Sequence, residues 1–101
     1  TQQTQAIAMV REVIDVVNGL DKRVFKNRCL KRALTGKLNV VIHSLEGRRY
    51  CIALMTLKYD ILEKFDGCAL KGHADRNDWI TNCNAQAAVY PLVVDIIDFL
   101  Q

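Results

Sequence analysis

Apolar residues recur at three- and four-residue intervals over nearly the whole chain, and that period specifies helix. Ile7, Val10, Val13, Ile14, Val17 and Leu20 form a first stripe, with Thr4 as cap and Asn18-Gly19 as stop. Leu30, Leu34, Leu38, Val41 and Leu45 form a second. Gly36 either weakens this helix by about 1 kcal/mol relative to alanine or, beside Ala33, marks a close helix–helix contact. After a turn with Gly47 as the helix stop, Tyr50, Leu54, Leu57, Ile61 and Phe65 form a third stripe, ended by Gly67. Ile80, Ala85, Val89, Leu92, Val93, Ile96 and Leu100 form a fourth, capped by Asp78 and bent at Pro91. Asp95 and Asp98 keep helical spacing in the valine-rich end. Helices are thus expected over residues 4–18, 24–45, 50–66 and 78–100. With three turns they predict an all-α fold, an antiparallel up-down four-helix bundle.

The 101 residues suffice for one domain with a small core. Half are apolar and a quarter charged, the balance of a globular chain. There is no unbroken run of 18 apolar residues, so no membrane span is expected. The opening "TQQTQAIAM" lacks the basic start and apolar core of a signal peptide, and its missing initiator Met reads as a processed or excised segment. Secretion therefore stays open.

Four cysteines fit a small domain in an oxidising compartment. No C-x₂₋₄-C pair exists, so zinc fits poorly. Cys29 and Cys51 lie at opposite ends of the second helix, roughly 24 Å apart at its rise per residue. A disulfide needs Cα atoms within about 7 Å. Cys68 and Cys83 flank a loop that can fold back, so Cys68–Cys83 is the favoured staple, contributing roughly 3 kcal/mol. The rival is Cys29–Cys68, which leaves Cys51 and Cys83.

The loop "DGCALKGHADRNDWITNC" holds most of the candidate chemistry. Asp75, Asn77 and Asp78, with Asp66, offer oxygen donors of the kind calcium prefers. The EF-hand pattern is absent, and capping by Asp78 with turn-making by Asp75 and Asn77 uses the same residues. His43 reads as a surface residue, and His73 has no nucleophile at a catalytic spacing. No catalytic residue and no cofactor is expected. Trp79 and Tyr90 read as packing residues.

The net charge of +3 is unevenly spread. Lys22, Arg23, Lys26, Arg28, Lys31, Arg32 and Lys37 stand against Asp21 alone, and no Lys or Arg follows Asp78. The segment is a solvated face by default and a candidate polyanion surface otherwise. Phe25 is its one aromatic, and disulfides conflict with a cytosolic setting, so nucleic acid is not expected.

The stretch from Asn27 to Cys68 resembles the FIMAH domain, a small helical module of secreted bacterial and archaeal proteins. The resemblance rests on "NRCLKRALTGK", Gly47-x-x-Tyr50-x-x-Ala53-x-x-Leu57, Asp60-Ile61-Leu62 and Asp66-Gly67-Cys68. The tail is similar to a G-x-x-D-x-N-D-W-I-x-x-C-x-x-Q-x-x-x-Y ending of such modules. It covers Asn27 to Gln101, with the first helix a weaker match. Cys68 and Cys83 fall on that pattern's paired cysteines, which supports their bridge. Cys29 and Cys51 stand where polar residues are expected and become free thiols or intermolecular links, with Cys51 the more reactive beside the 46–49 turn. The resemblance implies a non-catalytic accessory or interaction module of a larger exported, cell-surface or periplasmic protein. Its partner would be another protein or the rest of that chain. The alternative is a polyanion binder using the 22–37 face.

Overall fold

The computed structural model describes all residues, Thr1–Gln101, and is all-helical apart from one isolated bridge. It has five α-helices: α1 (Gln2–Gly19), α2 (Leu30–Glu46), α3 (Tyr50–Thr56), α4 (Gly67–Lys71) and α5 (Cys83–Leu100). A π-helical turn, Leu57–Ile61, and a 3₁₀ turn, Leu62–Lys64, continue α3. α1 packs on α2 and α5, and α2 packs on α3. Twenty buried apolar residues form one core, among them Val10, Val13 and Val17 of α1, Leu34, Leu38, Val41 and Leu45 of α2, and Val89, Val93 and Ile96 of α5. These are largely the stripes visible in the sequence.

The element boundaries differ for local reasons. Thr1, not Thr4, caps α1: its hydroxyl accepts from the Thr4 amide at 3.1 Å. The second helix starts at Leu30 instead of residue 24, because Asp21 closes a separate 3₁₀ turn by accepting from the Arg23 amide at 2.8 Å. Phe25 then runs extended and is buried. Gly67 begins α4 instead of ending the third helix, and Gly72, in the left-handed region at φ 83°, ends α4. At the α2–α3 turn Gly47 has an ordinary φ of −82°, and Arg48 takes the left-handed conformation, φ 59°.

The last helix starts at Cys83, not residue 78. Asn82 caps it, its side-chain oxygen accepting from the Ala85 amide at 2.9 Å. Asp78 is therefore not the cap. Trp79 to Thr81 run beside residues 24–26, joined by Lys26 N to Trp79 O and Thr81 N to Val24 O, both 2.8 Å. Phe25 and Ile80 form an antiparallel bridge there. Gly36 has nothing within 4 Å of where a Cβ would stand, so the close helix contact considered for it does not exist.

α5 is long and apolar enough, by length and composition, to cross a membrane, with a mean hydropathy of 1.3. A third of this helix is buried in the fold, and Ala85, Val89, Val93, Ile96 and Ile97 are its apolar residues that face the core.

Candidate functional site

The centre of the 66–83 loop is Asp78, which is fully buried. Its Oδ2 accepts three hydrogen bonds: from the Gly67 amide at 3.1 Å, the Asp75 amide at 2.9 Å and Gln86 Nε2 at 2.8 Å. An ionised buried carboxylate persists only with such partners. Its Oδ1 has none. Gln86, also buried, donates to the Ile80 carbonyl at 2.6 Å and accepts from the Cys68 amide at 3.0 Å. Two polar side chains therefore tie the start of α4, the loop and α5 together.

The Cys68–Cys83 disulfide closes the same unit, with Cα atoms 5.6 Å apart. Cys29 and Cys51 carry free thiols and both are exposed, so neither serves as a small apolar core residue.

Asp66, Asp75 and Asp78 each offer a carboxylate oxygen, and these atoms lie within 4.8 Å of one another. Asn77 is outside this group. It is exposed, and its amide donates to Asp75 Oδ1 at 2.9 Å, which makes it a turn former. Burial, and then the charges of Asp78 and Asp75, raise the pKa of Asp66 above the usual carboxylate value. Lys71 Nζ stands 3.8 Å from Asp75 Oδ2 and is the nearest cation of the group. His73 is exposed, with Nδ1 3.0 Å from the Ala74 carbonyl oxygen, and His43 is exposed beside Glu46 at 3.3 Å.

Several cations of the basic segment have partners within the fold. Arg23 pairs with Asp21 at 2.8 Å, and its hydrogen bonds hold the Asp21 carboxyl down to about 2. Lys31 Nζ donates to the Leu20 carbonyl just past α1, and Lys37 Nζ to Asp60 at 2.7 Å. Lys22, Arg28 and Arg32 are exposed. Lys26 turns elsewhere, donating to the Arg76 carbonyl at 3.0 Å. There it lines an open cleft of about 470 Å³ with Lys64, Arg76, Glu63 and Trp79. Lys64 and Lys37 lie 4.9 and 5.7 Å from the Trp79 ring centroid. Lys64 and Arg76 are remote from the basic run in sequence, so charge clustering alone could not find them.

Gln86 was equally hidden as a hub. Its signal was a polar residue three positions before Val89 and seven before Val93, on an otherwise apolar face.

No family model, no curated protein and no solved structure matches the chain.

Proposed function

We propose that the chain is a non-catalytic interaction module of a larger exported or cell-surface protein, its principal helices arranged up-down around one core. The observation that carries this reading is the row Ile52, Met55 and Tyr59, which are 52%, 59% and 66% exposed. They stand on the side of α3 and its π turn opposite the buried Ala53, Leu57 and Ile61. Single exposed apolar residues need no explanation. A helical row with methionine and tyrosine has the composition of an interface core. The disulfide fits an oxidising compartment, and the resemblance to secreted helical modules points to the same class.

The test is a photo-crosslinking residue at position 55 in the parent protein at the cell surface. One predominant protein adduct should form and should disappear when Tyr59→Glu is added. Absence of an adduct, or its persistence in the double variant, would refute the reading.

A second reading, a polyanion binder, is favoured by the cleft of Lys26, Lys64 and Arg76 over Trp79. It uses only Lys26 of the basic segment. Retention on heparin should then fall with salt and drop more on Lys64→Ala with Arg76→Ala than on Arg28→Ala with Arg32→Ala, two exposed cations outside the cleft. Equal losses from both changes would mean diffuse charge and no site.

A further inference from the structure

We propose that Asp66, Asp75 and Asp78 form a binding site for a divalent cation, with calcium the best chemical match. Three carboxylates converge, each offering an oxygen within 4.8 Å of the others. Two oxygens each about 2.4 Å from one calcium ion can lie that far apart. Acidic residues often cluster without binding anything. The independent observation here is Asp78, which is fully buried with Oδ1 unpartnered.

A buried oxygen with no partner costs on the order of 1–3 kcal/mol, more on a charged group. Oδ2 of the same carboxylate is saturated by three donors, so the group is held in one orientation. Oδ1 is the oxygen without a hydrogen-bond partner, and a cation held among the three carboxylates would give it one. Asp66 and Asp75 are half-buried, which leaves a side from which water can complete the shell. An all-oxygen donor set selects a hard cation over zinc or copper.

The surroundings suit a cation. Glu63 adds negative charge near Asp66, while Lys71, 3.8 Å from Asp75, is the nearest opposing group. A loop rigidified by the Cys68–Cys83 bridge and by Gln86 presents the carboxylates with little ordering left to do at binding. Occupation would tie α4 to the loop before α5.

The test uses the 101-residue chain, oxidised and stripped with chelator. Millimolar calcium should raise its melting temperature by about 5 °C or more beyond the shift from sodium chloride of equal ionic strength. Terbium should bind the same site and luminesce on excitation of nearby Trp79, and calcium should quench that signal by competition. Asp66→Asn should abolish both responses. The Asp66 side chain makes no hydrogen bond to another residue, so this variant should keep the fold, whereas Asp78 variants are strongly destabilised. Lys71→Met should keep or strengthen both. The absence of a calcium-specific shift and of terbium luminescence in the parent would overturn the proposal. An equal response in Asp66→Asn would do the same.

Discussion

The Gly67 amide donates to Asp78 Oδ2 at 3.1 Å, an approach that leaves no room for a side chain at residue 67. A Cβ there would overlap that oxygen and stand 2.6 Å from the Asp75 nitrogen and 2.7 Å from the His73 carbonyl oxygen. Two of these neighbours are backbone and cannot swing aside. Gly67→Ala should therefore cost about 2 kcal/mol. Gly36 is the reverse case, exposed in the middle of α2 with open space around it. Gly36→Ala should stabilise by about 1 kcal/mol. Urea unfolding of both variants checks the pair, and shifts of the same sign would contradict this account.

Asp78 and Asn82 hold different jobs, and stability measurements can separate them. Asp78→Ala removes the acceptor of three hydrogen bonds and strands their donors in or near the interior. At about 1–3 kcal/mol for each unsatisfied group, partly relieved by water, the loss should be about 4 kcal/mol. Asn82→Ala removes one cap bond, to Ala85, and should cost about 1 kcal/mol. Equal losses would mean that Asp78 is only another surface cap.

Two carboxyls should titrate on opposite sides of their ordinary value. Arg23 holds Asp21 down to about 2, first by its side-chain hydrogen bond. That favourable contribution is present above the unfolded value and is lost as pH falls through 2. Burial raises Asp66 above the ordinary carboxylate value of 3.8, helped by Asp78 and Asp75. Its protonated form is the one the fold prefers. That contribution is complete below 3.8 and is lost as pH rises through the folded value. Carbon-detected NMR titration in chelator should find Asp21 lowest and Asp66 raised. Asp66→Asn should lessen the loss of stability as pH climbs above 3.8. The reverse order of the two midpoints would contradict the geometry.

The helices were legible because burial follows a local period. Leu34, Leu38, Val41 and Leu45 recur on one face, and all four are buried. The residues between helices were not legible by that route. Phe25 has the spacing of a helix start, yet it pairs with Ile80 through contacts that local patterning cannot express. Asp78 stands where a cap would stand before an apolar run. Asn82 takes the cap, and the three donors on Asp78 come from Gly67, Asp75 and Gln86. Part of the acidic site could be read from the loop. Asp66, Asp75 and Asp78 were all candidates there, and dropping Asn77 required the folded positions of the three carboxylates.

The free cysteines offer a direct probe of the proposed recognition face. Cys29 and Cys51 are both exposed, whereas Cys68 and Cys83 are bonded. A maleimide should therefore label two cysteines in the native protein and four after reduction and unfolding. Arg28 and Arg32 stand near Cys29 in sequence, just as Arg48 and Arg49 stand near Cys51, and all four arginines are exposed. Faster reaction at Cys51 therefore has no basis in exposure or local charge, and the two rates should agree within about fivefold on similar steric access. Their consequences should differ. Cys51 adjoins Ile52, the first member of the exposed row, while Cys29 precedes α2. A bulky label on Cys51, with Cys29 replaced by serine, should block cross-linking from position 55. The same label on Cys29, with Cys51 replaced by serine, should leave it intact. Equal blocking by both labels would place the contact surface elsewhere than on the Ile52–Tyr59 row.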